Sequence, residues 1–276
     1  MFNISFNRRH ITLCITIFAT LILVGILISG LLITKDYYSA DFSSTNLPPS
    51  STHLFGTDFM GRDMFYRTLK GLSTGMQIGL CASFVSCIMA VICGFSAGVL
   101  GKKVDLVICG LVDLMRSIPA MLFLVLISIA MGRGVRGITL AVILTHWTPL
   151  TRIIRAEILA LKNTQFYKAS QRMGKSNLWI ARHHILPHII PQFVIGLIIL
   201  FPHAIMHEAG LTFLGFGIPS EIPAIGGILE ESMHYITSGY WWLSVLPGLS
   251  LLFVVMLFEI IGDNVRRLID PFSAQE

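Results

Sequence analysis

The amino-acid sequence predicts an all-α fold, a polytopic membrane helix bundle with about six transmembrane helices and one further helix in the cytoplasm. Of the 276 residues, 54% are hydrophobic and only 13% are charged. A soluble domain of this composition would present a largely apolar surface to water, so lipid is the expected solvent. The mean hydropathy is +0.75, and several stretches reach the roughly 20 apolar residues with which a helix crosses a bilayer.

Six predicted spans follow one another along the chain. The first comes after Arg8-Arg9-His10 and could be a signal peptide, but its apolar run is too long and no small-residue cleavage site follows Thr34. We therefore interpret it as a retained span. The fourth should run on as a helix into Leu161. The six spans are Ile11–Thr34, Thr74–Leu100, Leu106–Met131, Gly137–Leu150, Ile189–Phe216 and Tyr240–Gly262.

Small residues recur at four-residue spacing in the second span, at Gly75-x-x-x-Gly79 and at Gly94-x-x-x-Gly98. This spacing lets helices approach closely in lipid, where no hydrophobic force drives them together. The spans are therefore expected to pack as a bundle. The five cysteines lie inside apolar runs without a C-x-x-C pair, which indicates neither a metal site nor a disulfide framework.

The basic residues predict the orientation of the spans. If the N-terminus is cytoplasmic, 13 of the 20 Lys and Arg residues fall on the inner side, six fall on the outer side, and Arg116 lies inside a span. The positive-inside rule then places both termini in the cytoplasm. This distribution also accounts for the net charge of +5 without a nucleic-acid partner.

The spans and loops divide the chain into three parts. Residues 1–73 hold the N-terminal span and a polar outer loop from about Lys35 to Ser73. Residues 74–271 form the core, with an inner loop at about 161–187, and residues 272–276 are a short tail. Long ordered loops in a small membrane protein are usually functional.

The inner loop begins with a predicted amphipathic helix. Asn163 or Thr164 can cap its start, and Gly174 suits the left-handed residue that follows its end. On amphipathicity alone, this helix could simply lie on the lipid headgroups. The residues that share its apolar face at three- to four-residue spacing are Phe166, Ala169, Ser170 and Met173.

Nine residues after Gly174, the chain continues as His184-Ile185-Leu186-Pro187. The segment resembles the signature loop of ABC-importer permeases, EAA-x3-G-x9-I-x-LP. The matching positions are Ala169, Gly174, Leu186 and Pro187. The departures are Lys168 in place of Glu, Ser170 in place of the second Ala and His184 in place of Ile. In that family the helix is a coupling helix that docks in a groove of the ATP-hydrolysing subunit, so the resemblance implies that these residues form the ATPase-coupling loop.

Other segments narrow the resemblance to the peptide and nickel permeases, and to the second of their two permeases. They follow the family order and cover the chain from about His53 to Pro271. One departure lies at Pro223-Ala224-Ile225-Gly226, where the family often has PEWG. The similar stretches are Leu54–Asp63 (LGTDxxGRD in the family), Val104-Asp105, Val112-Asp113, Pro119, Leu211–Gly217 (similar to SFLGLG) and Gly262–Pro271 (similar to GDxLRDxLDP).

This resemblance implies a transport subunit, not an enzyme. The chain lacks a GxxxxGK[ST] phosphate-binding loop, so it should bind no cofactor itself, with ATP and Mg²⁺ bound by partner ATPase subunits. The implied partners are a second permease subunit in a heterodimer, two ATP-binding subunits, a substrate-binding protein outside the membrane, and lipid. The implied location is a prokaryotic plasma membrane.

Several ionisable residues fall in apolar surroundings. Asp113 and Arg116 are three residues apart on one helix face, which predicts an ion pair that makes their burial tolerable, with a coupling contact as the alternative. Glu208 and Glu259 also lie in spans, where acids often mark a transport path. Glu259 is near the inner face and can reach water, so Glu208 is the better candidate for the path.

Two histidines suggest the cargo. His203 and His207 are one helical turn apart and face the same way, and an imidazole pair at this spacing can ligate Ni²⁺. Their H-x-x-x-H-x-A-G setting is similar to that of nickel permeases. We therefore expect nickel or a nickel chelate, with His203 and His207 as transient metal ligands and Met206 and Glu208 beside them in the path.

Alternatives to the nickel reading remain. The histidines could instead only bond neighbouring helices, and the cargo would then be a dipeptide or oligopeptide. A secondary transporter should show inverted repeats, and a membrane enzyme should show a recognisable catalytic constellation; neither is evident in the sequence.

Overall fold

The computed structural model describes residues 8–269 and the side chains of residues 9–268. The sequence features at Asp270-Pro271 and 272–276 lie outside these residues. Short 3₁₀ turns lie between the first two helices and before the last one. The helices are α1 (Arg8–Leu32), α2 (Met64–Val99), α3 (Lys102–Ser117), α4 (Ala120–Ala130), α5 (Val135–Lys162), α6 (Gln165–Arg172), α7 (Asn177–Ile180), α8 (Leu186–Phe213), α9 (Ile225–Met233) and α10 (Trp242–Ile269).

Within the described residues, five helical stretches are long and apolar enough to cross a membrane. Four of them are α1, α2, α5 and α10, and α5 runs on past Leu161 as predicted. The fifth joins α7 and α8 through a π-helical turn at Ala181–Ile185, so it begins well before the predicted Ile189. The count reaches the predicted six when α3 and α4 are taken as one bent span.

Helix α2, the second span, lies at the centre of the bundle, because its glycines allow neighbouring helices to approach closely. A Cβ atom on Gly94 would lie 2.9 Å from Ile154 Cβ, and one on Gly98 would lie 2.7 Å from Ile158 Cγ2. These two glycines therefore let α5 approach, while Gly75 and Gly79 do the same for α8 on another face of α2. The predicted close packing through small residues is confirmed.

The third span is broken, so the prediction of one continuous helix over Leu106–Met131 is wrong. Helices α3 and α4 meet at 95°. Between them Ile118 is extended, with φ −92° and ψ 135°, because a following proline disfavours the helical conformation of the preceding residue. Pro119 therefore ends α3, which packs beside α2 and α5 with Val112 as its one buried residue.

The outer loop is shorter than predicted. The second span begins at Met64, well before the expected Thr74. Asp63 is its N-cap, and the Asp63 carboxylate accepts hydrogen bonds from the backbone N–H groups of Phe65 and Tyr66. This Asp cap is the local signal that marks the start of the helix.

The first helix lies at the edge of the bundle against α2 and α10. Only 11% of an apolar 18-residue stretch of this helix is buried inside the chain, as expected for a helix whose other side faces lipid. Lys70 secures its end, because Nζ donates to the carbonyl oxygens of Gly30 at 2.9 Å and Ile33 at 3.2 Å. A cation is favourable at a helix C-terminus, where the helix dipole is negative.

Candidate coupling loop and transport path

The end of α6 matches the sequence prediction, whereas its start is capped differently. Gly174 has φ +79°, the left-handed conformation, and the backbone N–H of Lys175 reaches back to Ser170 O at 3.2 Å. Thr164 occupies the N-cap position, but its hydroxyl donates to Leu161 O at 2.6 Å and does not accept from α6. The turn therefore depends mainly on the glycine.

Tyr167 anchors α6 to the rest of the chain. Its ring is buried in the cluster that also contains Leu161, Ile180 and Ile185, and burial raises the pKa of its phenol. The hydroxyl lies 3.5 Å from the side-chain oxygen of Asn177 on α7. The sequence analysis did not single out Tyr167, although it is the one aromatic residue of α6 outside the apolar stripe, which is a usable signal.

The predicted apolar stripe faces away from the chain. Phe166 and Ala169 are exposed, and Met173 is 81% exposed. Ser170 is half-buried, with its hydroxyl donating to Phe166 O. The remaining residues implied for the coupling loop, Lys168, Leu186 and Pro187, are also exposed. The arrangement leaves this surface open to a second protein or to lipid.

The rest of the inner loop is basic and aromatic. The Trp179 ring stacks on His183 with centroids 4.3 Å apart, and Lys175 Nζ lies 4.6 Å from the centroid of the Trp179 ring. The sequence contains no Asp or Glu between Glu157 and Glu208. The loop therefore presents cations and ring faces, with no carboxylate of its own.

The predicted ion pair between Asp113 and Arg116 is wrong. The Asp113 carboxylate pairs with Arg152 on α5. Nearer the start of α3, the Asp105 carboxylate pairs with Arg155, also on α5, at 2.6 Å from Arg155 Nη2. Two ion pairs thus join α3 to α5. Spacing along one helix could not reveal them, because the bend at Pro119 is what lays α3 beside α5.

A buried charge network holds the outer loop. The Asp58 carboxylate accepts from Arg67 at 2.6 Å and from Arg62 at 2.7 Å. Both arginines also donate to Glu231 on α9, at 3.0 Å and 2.9 Å respectively. Asp58 is 2% exposed and Arg67 is 3% exposed, so the two cations and two carboxylates compensate one another at a site that is largely shielded from water.

Several residues of the Leu54–Asp63 stretch, including those of the charge network, hold the outer loop in place. Asp58 and Arg62 form ion pairs, Asp63 caps α2, and His53 Nδ1 lies 2.8 Å from the Asp63 carboxylate. Gly61 has φ +72°, where an added Cβ atom would collide with the backbone of Asp41. The stretch therefore fixes the loop on top of the spans.

A pocket of about 610 Å³ opens between α4, α5, α8 and the α3–α4 bend. Its lining includes His203 and His207, two of the four residues predicted to line a transport path. It also includes His146, whose ring centroid lies 5.0 Å from that of His207. Sequence analysis missed His146, because nothing in the local sequence indicates that α5 presents it to α8.

The other two predicted path residues lie elsewhere. Met206 is 49% exposed and does not line the pocket. Glu208 is 1% exposed, and its carboxylate accepts from the Thr212 hydroxyl at 2.9 Å while lying close to Gly75 on α2. Glu259 is exposed. Within the described residues, no group of three or more His, Cys, Asp or Glu is arranged to hold a metal ion.

The fold and these sites define a membrane-spanning permease, a helical bundle with a protruding basic loop and a pocket between spans. The family described as binding-protein-dependent transport system inner membrane component matches residues 90–274, more than half of the chain. The chain therefore belongs to this family, and it is a permease subunit of an ABC importer. It acts as a transport subunit.

Three relatives are similar over most of the chain. The dipeptide transport system permease protein DppC of Bacillus subtilis is 31% identical over 82% of this chain and 71% of its own length. The oligopeptide transport system permease protein OppC of the same organism is 30% identical, with 91% and 85% covered. The probable D,D-dipeptide transport system permease protein DdpC of Escherichia coli is 28% identical, with 95% and 87% covered.

A solved structure supports the fold. An inward-facing form of the MetNI methionine ABC transporter superposes with a TM-score of 0.62 at 18% identity. The match covers 75% of this chain and 98% of the other. The predicted all-α membrane bundle is thus confirmed.

Proposed function

We propose that the chain forms part of the path by which dipeptides or short oligopeptides enter the cell. The similarity to permeases named for dipeptide and oligopeptide transport carries this proposal. These names favour the peptide alternative over the nickel cargo that His203 and His207 suggest. Only these two of the four predicted path residues line the pocket, and its other lining side chains are mostly apolar.

The proposed mechanism involves no covalent chemistry in this chain. ATP and Mg²⁺ bind to two partner ATPase subunits, a second permease completes the path, and an external substrate-binding protein delivers the cargo. ATP binding must favour one arrangement of the spans over another for transport to occur. The exposed stripe of α6 is the proposed docking surface that transmits this difference, with Tyr167 and Gly174 holding its orientation.

The cargo can be tested in cells from which this chain has been deleted. We expect uptake of a radiolabelled dipeptide or tripeptide to be lost in these cells and restored by the intact chain. Nickel uptake should stay the same in both. Loss and restoration of nickel uptake, with peptide uptake unchanged, would show that the peptide proposal is wrong.

The proposed orientation places both termini in the cytoplasm and the loop between α1 and α2 outside. Ser51 is exposed in this loop, and Ser176 is exposed in the inner loop. We expect Ser51→Cys to react with a membrane-impermeant maleimide in intact cells, and Ser176→Cys to react only after the membrane is broken. The reverse labelling pattern would contradict the orientation.

A further inference from the structure

The pocket between α4, α5 and α8 has an unusual set of polar groups. Arg116 is its one charged residue, and no Asp or Glu stands among the described residues that line it. The three imidazoles of His146, His203 and His207 share the pocket with it. The remaining walls are largely apolar, through residues such as Phe123 and Leu200. The pocket therefore offers hydrogen-bond donors beside apolar walls.

The hydroxyl groups of the pocket are already engaged. Ser117 donates to Leu114 O at 2.7 Å, Thr145 to Ala141 O at 2.9 Å and Thr148 to Thr145 O at 3.3 Å. The donors left for a ligand are the guanidinium group and the imidazoles.

The Arg116 guanidinium can bind a ligand because Asp113, its predicted partner, pairs with another residue. Asp113 pairs with Arg152 on α5, and Arg116 forms no ion pair with any residue in the described part of the chain. The rings of His203 and His207 likewise form no hydrogen bond within residues 9–268. Three donors thus face one pocket without an internal acceptor.

His146 differs from His203 and His207, because its ring already has hydrogen-bond partners. Its Nδ1 lies 3.1 Å from Val142 O and 2.9 Å from the Thr145 hydroxyl, so the ring is tied to its own helix. The His146 ring meets the His207 ring edge to face at 77°. His146 therefore packs against the His207 imidazole in the lining of the pocket.

We propose that this pocket receives the C-terminal carboxylate of a peptide during transport, between Arg116 and the imidazoles of His203 and His207. The inference rests on the proposed peptide cargo. A carboxylate has two acceptor oxygens, which suit the parallel N–H groups of a guanidinium and further single donors beside it. Arg116 and His203 are exposed, so the contact stays hydrated enough for release, as a transport path requires.

The test uses the complete importer in proteoliposomes, with its binding protein saturated by one of two cargoes. The cargoes are the same tripeptide with a free C-terminal carboxylate and with a C-terminal amide. Each variant gives a ratio of the two transport rates, and the unchanged binding protein affects that ratio equally in all variants. We expect Arg116→Gln to lower the ratio of acid to amide by about tenfold, the order expected when one charge-assisted hydrogen bond is lost.

The double variant His203→Gln with His207→Gln should lower the same ratio, so the test survives if Arg116→Gln assembles poorly. Arg116→Lys should keep part of the ratio, because the charge remains. His188→Gln is the matched control, since His188 is on α8 but lies beside Glu157 in the neighbouring pocket. It should leave the ratio unchanged.

Other outcomes would overturn the proposal. If Arg116→Gln and the double histidine variant slow both tripeptides equally, the residues have a structural role and the carboxylate site is wrong. If the wild-type importer moves neither tripeptide but moves nickel, the proposed peptide cargo is wrong, and the carboxylate site that depends on it is wrong as well.

Discussion

Replacing Gly174 by Val should reduce transport by about tenfold or more while the protein still reaches the membrane. Gly174 has φ +79°, and an added Cβ atom would meet nothing within 4 Å, so the substitution strains the backbone without creating a clash. A left-handed conformation costs an L-residue about 1–2 kcal/mol, and a β-branched residue is a poor choice there. Such strain reduces the population of α6 that is oriented for docking by about tenfold or more. Peptide uptake and ATPase stimulation of the assembled importer measure the effect.

Two controls separate this effect from general damage. Gly174→Asn should retain most of the transport, because Asn tolerates the left-handed region better than other residues with a side chain. Gly239 also has positive φ, +89°, with free space around it, but it lies near the start of α10 and far along the chain from the inner loop. Gly239→Val should leave ATPase stimulation near normal. Normal coupling in Gly174→Val would remove the main support for the role of α6.

The end of α6 could be predicted because its signals are local. The glycine that ends α6 and the stripe of Phe166, Ala169 and Met173 depend on neighbours a few residues away. The number of spans and the contacts of Gly94 and Gly98 followed from composition and spacing in the same way. The bend before Pro119 also has a local signal, the proline itself, but the apolar run across it favoured a straight span.

The sites could be predicted only in part, because they join distant segments. Glu231 completes the outer network with Arg67, 164 residues earlier in the chain, and no spacing rule connects them. His146 and His207 meet across two helices. Asp113 pairs with Arg152 and not with Arg116, because the orientation of α3 determines which cation its carboxylate faces. In each case the residue type indicates that a polar partner is needed, whereas the tertiary packing determines which partner it is.

The chain has both buried and exposed ion pairs, and their contributions to the free energy of unfolding should differ. The Arg152–Asp113 pair between α5 and α3 is open to solvent, with side chains 48% and 62% exposed. Exposed pairs contribute about 0–1 kcal/mol, because water screens the charges and ordering two long side chains is unfavourable. Arg152→Met should therefore change the free energy of unfolding by less than about 1 kcal/mol.

Arg67→Met should instead lower the free energy of unfolding by about 3–5 kcal/mol, because it leaves two carboxylates to share one cation, Arg62, in a largely buried site. Asp58 and Arg67 have side chains that are each 4% exposed, so water cannot replace the lost donor. Unfolding of the purified protein in mixed micelles, titrated with a denaturing detergent, measures both variants against the wild type. Adding Glu231→Gln to Arg67→Met should recover part of the loss, since Arg62 then balances Asp58 alone. Equal losses for Arg67→Met and Arg152→Met, or no recovery in the double variant, would show that the outer network does not stabilise the loop through its charges.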